Sequence, residues 1–211
     1  MRDKIFKFTV TLRNYEDMFY REICVQSKHP IKDYCYIILA SFEALANDRL
    51  FVGEAKQPSM YIYDNLNLND VSKDTVDCFS ETKEQKFYLV FERGYKYIFD
   101  VQLEQVKNVF YDNEEEYPKI IAGKGKCILP GIAPECYKKL IEVLDEKGQS
   151  KMKYFTTIEM LEPWDYRNYD LETDNKNWWI YVNYIESYYN DYNDEIKIEY
   201  ITKSGSPENF V

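Results

Sequence analysis

The chain reads as an α+β domain: a mostly antiparallel sheet packed against two helices, with an aromatic and acidic C-terminal extension. Three observations predict this. Apolar and polar residues alternate from Ile5 to Leu12 and again through Lys86–Val106, the period of a strand with one buried face. Two segments that begin at Pro30 and Pro134 instead repeat apolar residues at three- and four-residue steps, the period of a helix with one buried stripe. The 211 residues are 45% hydrophobic, which is enough to bury a core and argues against wholesale disorder.

Taken in order, Ile5–Leu12 is the first strand, and Asn14-Tyr15-Glu16-Asp17 supplies turn chemistry. Phe19–Val25 returns as the second arm of a hairpin. Pro30 suits the first helical position, where its missing N–H would be unpaired in any case. Behind it Ile31, Tyr34, Ile37, Ile38, Phe42 and Leu45 share a face. Leu50–Gly53 and Met60–Tyr63 are short strands, and residues 64–85 are a polar loop with one helical turn around Val76–Phe79.

Lys86–Glu92 and Tyr95–Val106 form the strongest hairpin, pivoting on Gly94. It should lie at the centre of a sheet of five or six strands, with Phe87, Leu89 and Phe91 pointing to one face. Ile120–Ile121 reads as an edge strand. Pro134 opens the last helix, with Cys136, Leu140, Val143 and Leu144 on one face, and Gly148 stops it. Beyond Ser150, Lys153–Leu161 reads as a strand, Trp178, Tyr181, Val182, Ile185, Tyr188 and Tyr189 as a helical stripe, although the same residues have high β propensity, and Ile196–Tyr200 as a strand. This divides the chain into a domain over 1–149 and an extension over 150–211 packed on the same body.

The stretch from Lys86 to Leu144 carries a specific pattern: an aromatic strand, a Glu92-Arg93-Gly94-Tyr95 turn, Tyr97-Ile98-Phe99, then Tyr117-Pro118, Gly123-Lys124-Gly125-Lys126-Cys127 and a final helix. It resembles the plasmid Ri ORF-three-like family, also labelled insertion-element passenger or TnpR-like protein. The resemblance covers residues 4–145 by position and is specific from Phe87 to Glu142. It implies the α+β architecture above and a link to mobile elements. It implies no proven activity, because a fold hosts many functions.

The departures fall on the polar boxes. The second acid of the family turn is Tyr95 here, and the family's Trp-x-His strand is Tyr97-Ile98-Phe99, without the imidazole. Tyr20-Arg21 stands where the family has Trp-Arg-Arg, and Asp48-Arg49-Leu50-Phe51 where it has an acidic or polar residue followed by His-Leu-Phe. After Cys127 the family's Pro-Pro-Glu-Asp run is Ile128-Leu129-Pro130-Gly131-Ile132, with neither carboxylate.

Composition narrows the function classes. A net charge of −10 repels phosphate backbones, so direct nucleic-acid binding is not expected. No apolar run approaches the length that crosses a bilayer, and none is expected to. Five scattered cysteines, odd in number and without a CxxC pair, fit a reducing cytoplasm. The single histidine, His29, leaves little material for a catalytic triad or a His-rich zinc site. No metal and no cofactor is expected. Gly123-Lys124-Gly125-Lys126 lacks the spacing and the Lys-Ser/Thr pair of a phosphate loop, and a plain turn is the better reading.

Two groups of residues remain as binding candidates. Glu92, with Arg21, Arg49 and Tyr97, would line a pocket wall, against the plainer reading of Glu92 as a hairpin-tip carboxylate paired with Arg93 or Lys96. Trp164, Asp170, Glu172, Asp174 and Trp178 belong to the acidic window Glu159–Glu199, which holds eleven acids against Arg167, Lys176 and Lys197. Its aromatic stripe either completes the core or forms an exposed patch for a partner. The expected function is a non-enzymatic binding or adaptor protein, an acidic inhibitor or nucleic-acid mimic that meets a basic protein partner on a convex face. The alternative is a diverged enzyme with a cleft containing Glu92 and Tyr97. Oligomeric state, partner identity and substrate are left open.

Overall fold

The computed structural model describes residues 3–44, 50–54, 68–70, 75–79, 86–93, 95–109, 116–126, 128–129, 132–148, 153–155, 161–176, 179–180, 182–183 and 199–201. Its centre is the pair of hairpins that the alternating pattern predicts. β1 (Asp3–Leu12) pairs antiparallel with β2 (Tyr20–Gln26), and β5 (Lys86–Arg93) with β6 (Tyr95–Val109). β1 also pairs antiparallel with β6, which joins the hairpins into one sheet. Asn14 takes φ +68 in the first turn, a conformation that asparagine tolerates.

The fold class is α+β. The sheet is wider than expected, with eight strands in the order β4-β10-β3-β5-β6-β1-β2-β7. β3 (Leu50–Glu54) and β7 (Lys119–Lys124) were expected. β4 (Leu68–Asp70) falls in a stretch read as polar loop, too short for alternation to register. β10 (Glu199–Ile201) lies parallel to β3 and antiparallel to β4, which places these three residues in the main sheet. β8 (Lys153–Phe155) and β9 (Leu161–Pro163) pair as a separate antiparallel ribbon, where the sequence suggested one continuous strand. Val76–Phe79 forms the expected helical turn, of 3-10 type. The expected strand Met60–Tyr63 and the pivot Gly94 lie outside the described residues.

One face of the sheet carries the core. Phe6, Phe8, Val10 and Leu12 of β1, Phe87, Leu89 and Phe91 of β5, and Tyr97, Phe99, Val101 and Leu103 of β6 belong to one buried cluster. β1 and β6 show the period-two pattern expected of a half-buried strand, whereas β5 is buried from Phe87 to Phe91, with Tyr88 and Val90 covered on its other face. α1 (Ile31–Ser41) lies against the core cluster, with the Tyr34 ring tilted against that of Phe8 at 4.9 Å between ring centroids. Pro30 stands just before the helix rather than in it, and its carbonyl accepts the Tyr34 N–H. From Tyr34 to Ala40 every side chain of α1 is buried, as befits a helix that is apolar on all sides.

The second helix begins with a 3-10 turn at Pro134–Cys136 and continues as α2 (Tyr137–Lys147), ended by Gly148 at φ +70. The buried face is Tyr137, Ile141 and Leu144, whereas Cys136 and Val143 are exposed. This corrects the predicted face. The tighter first turn shifts the register, so that the i, i+4, i+7 series starting at Tyr137 meets the core.

Candidate functional site

Two of the polar residues singled out from the sequence, Arg21 and Tyr97, reach one place, the loop that leads from β7 to α2. Arg21 on β2 faces inward between the β7 edge and the end of α1, and its side chain is wholly buried. Its guanidinium reaches five backbone carbonyls. Nε donates to Ser41 at 2.8 Å, Nη1 to Tyr20 at 2.8 Å and Lys124 at 2.7 Å, and Nη2 to Gly125 at 2.7 Å and Lys126 at 3.1 Å. A guanidinium has five N–H groups, so this arrangement uses its whole donor capacity. The ring of Phe42 packs on the cation at 4.5 Å and that of Tyr169 at 4.0 Å.

Tyr97 does the same work from the other side of the loop. It is fully buried, and its hydroxyl meets the carbonyls of Leu129, at 2.8 Å, and Ile132. The Leu129 N–H in turn donates to the Tyr137 hydroxyl, and the Ile128 N–H to the carbonyl of Phe42 at 3.0 Å. The loop is therefore held through its main chain by buried side chains, which leaves Arg21 and Tyr97 shielded from solvent. Glu92 is the register partner of Lys96, one step beyond the Phe91–Tyr97 pair. Arg49 and Trp178 lie outside the described residues.

The segment after β9 closes this region. Trp164 is fully buried in an aromatic group with Tyr137 at 5.9 Å and Tyr166 at 6.2 Å, and Phe19 stands edge-on to Tyr137. The carbonyl of Tyr166 accepts the Lys126 N–H at 2.9 Å. Residues 171–176 are helical, and Asp170 caps them by accepting the Thr173 N–H at 2.8 Å. Glu172 is exposed and pairs with Lys176 at 2.7 Å.

Asp174 turns inward instead. Its side chain is 16% exposed, and one carboxylate oxygen lies 3.9 Å from Arg21 Nη2. Burial raises its pKa to about 6, although the Arg21 charge works the other way. Burial also pushes the neighbouring Tyr169 hydroxyl to about 12. Asn175 completes the closure, accepting the Ile120 N–H at 3.1 Å and donating to the Ile120 carbonyl at 2.7 Å.

Of the acidic-window candidates, then, Trp164 and Asp174 are built into the body, while Asp170 and Glu172 face water. The residues that sequence reasoning overlooked are Ser41, Phe42, Tyr169 and Asn175. The sequence carried no signal for Tyr169; in the structure a Cβ on Gly123 would come within 2.6 Å of the Tyr169 hydroxyl and 2.9 Å of Arg21 Cδ. The first glycine of the Gly-x-Gly motif is thus explained by close packing. Among the described residues no group of three or more His, Cys, Asp or Glu is placed to hold a metal ion, and no helix is long and apolar enough to cross a membrane.

No curated protein matches the chain. A crystal structure of a protein of unknown function from Methanosarcina mazei Go1 shares the fold, with a TM-score of 0.56 at 17% identity. The alignment covers 82% of this chain and 98% of that one. Residues 4–175 match the family described as plasmid pRiA4b ORF-3-like protein, so the match runs past residue 145, where the readable motifs stop, through the buried Trp164 to the Asn175 contact. The chain belongs to the plasmid pRiA4b ORF-3-like family.

Proposed function

We propose that the protein is a non-enzymatic binding or adaptor protein of the cytoplasm whose acidic C-terminal segment meets a basic protein partner. The observation that carries this reading is the exposure of Trp179, 52%, and of Ile180, 40%, just beyond residues 171–176, a helical segment capped by exposed Asp170 and carrying exposed Glu172. A half-exposed tryptophan beside an isoleucine is a suitable anchor, and surrounding carboxylates steer a positive surface toward it. Spaced carboxylates of this kind can also imitate a phosphate backbone, which would make the partner a nucleic-acid-binding protein. The link to mobile elements rests on the family name. The enzyme reading is weakened because Tyr97 commits its hydroxyl to loop carbonyls.

The test must avoid residues that hold the fold. Reversing Asp174 would place a second cation against buried Arg21, and reversing Asp170 would remove a helix cap. Glu172→Lys combined with Trp179→Ala changes only exposed groups. A partner captured from native lysate by the wild type should be released as salt approaches about 1 M, where the screening length falls to about 3 Å. The double variant should capture it at least 10-fold less well. Capture indifferent to both salt and the double variant would overturn the reading.

A further inference from the structure

The segment 164–176 is attached to the body by a short set of polar contacts, one of which carries a proton-binding group at its centre. Lys126 N–H meets the Tyr166 carbonyl, Ile120 meets Asn175 through both of its backbone groups, and Asp174 faces Arg21. β7 is the last strand of the sheet, so the Asn175 amide stands where another strand would pair. We propose that this segment is a proton-sensitive latch over the β7 edge, closed most firmly when Asp174 is protonated and loosened when Asp174 ionises.

The geometry supplies the reason. All five N–H groups of Arg21 point to carbonyls, and the guanidinium stands 3.9 Å from Asp174, too far for a hydrogen bond. Asp174 Oδ2 therefore has a nearby positive charge but no hydrogen bond of ordinary geometry; the Tyr169 hydroxyl stands close enough to favour the ionised form without making one. Removing an ion from water without hydrogen bonds costs more than removing the neutral acid. The charged and titratable groups that face Asp174 are Arg21 from β2, Lys126 from the turn after β7, and Tyr169 and Asp170 from its own segment. Arg21, the Tyr169 hydroxyl and Lys126 favour ionisation, Asp170 opposes it, and desolvation outweighs the three favourable groups.

The sign follows from linkage. With the latch open, Asp174 titrates near its ordinary 3.8; closed, near 6. The closed state binds the proton more tightly, so closure is strongest below the ordinary carboxylate value. It weakens as pH rises through that window and is constant above it. This inference does not depend on any partner.

The experiment is residue-level amide hydrogen exchange on the full chain, expressed as protection factors at Ile120 and Lys126, with β1 and β6 amides as internal reference. Between about pH 4.5 and pH 7.5, protection at both positions should fall roughly 10-fold or more while the reference amides hold. Asp174→Asn, which cannot ionise, should keep both amides protected across the range. Asn175→Ala should expose Ile120 at every pH, showing that the reporter reads the latch. Protection in the wild type that does not change with pH, an Asp174→Asn variant with the wild-type pH response, or an Asn175→Ala variant with Ile120 still protected would each overturn the proposal.

Discussion

The Asn175 side chain answers the backbone of Ile120 at both its donor and its acceptor, at 3.1 and 2.7 Å. An edge strand with free N–H and C=O groups invites pairing with another chain. Here a single amide from the C-terminal segment imitates a neighbouring strand at one position of β7. The contact ties the end of the family match to the edge of the family sheet.

Arg21 should be the residue whose loss costs most stability. Arg21→Ala would leave five carbonyls without their donor and open a hole between Phe42 and Tyr169. The expected loss is about 3–5 kcal/mol by urea denaturation. Arg21→Lys should recover little of it, because an ammonium has three donors at one point rather than a planar fork. A variant within about 0.5 kcal/mol of wild type would show that the loop holds itself.

Two buried tyrosines should respond in opposite directions to loss of the hydroxyl. Tyr97 bonds the carbonyls of Leu129 and Ile132, so Tyr97→Phe should destabilise by about 1–3 kcal/mol. Tyr34 is fully buried with a hydroxyl that has no partner. Removing an unpaired buried polar group costs nothing and can help, so Tyr34→Phe should be neutral or stabilising by up to about 1 kcal/mol. The denaturation midpoints of the two variants should therefore bracket that of the wild type.

The tryptophans provide a second contrast. Trp164 lies in the core against Tyr137 and Tyr166, while Trp179 is half exposed. Trp164→Ala should cost about 3–5 kcal/mol, and Trp179→Ala should stay within about 0.5 kcal/mol. Equal costs would mean that Trp179 is covered in solution.

Gly123→Ala should disturb the closure without unfolding the sheet. The added methyl would meet Tyr169 Oη at 2.6 Å and Arg21 Cδ at 2.9 Å, so the tyrosine must move off the guanidinium. Faster exchange at Ile120 and Lys126, with β1 and β6 amides unaffected, is the expected outcome. Unchanged exchange would show that Tyr169 can yield without releasing its segment.

Much of the architecture was legible because its signals are local. Alternation from Ile5 to Leu12 and in Phe87, Leu89 and Phe91 follows directly from the two-residue period of a strand, and the hairpin turns lie beside the strands they join. The same reasoning missed the three-residue strand β4, and it read a strand at Ile196–Tyr200 without its place beside β3 and β4, because that pairing depends on distant partners. It also misjudged the inner face of α2, because the 3-10 turn that sets its register shows only in three dimensions.

The candidate site was legible as a set of residues but not as an arrangement. Arg21, Tyr97 and the glycine-rich segment could be picked out from the chain; Arg21 meets that segment at Lys124–Lys126, and Tyr97 meets the loop farther on, at Leu129 and Ile132. Their role could not be read there, because Arg21 reaches carbonyls 103 to 105 positions away. By itself the sequence determined an α+β frame, a strongly acidic tail and a scarcity of histidine. Only the tertiary structure decided which polar groups are spent on holding the chain and which still face water. A side chain's chemistry is set by its desolvation and its partners, and both are supplied by residues far away in sequence.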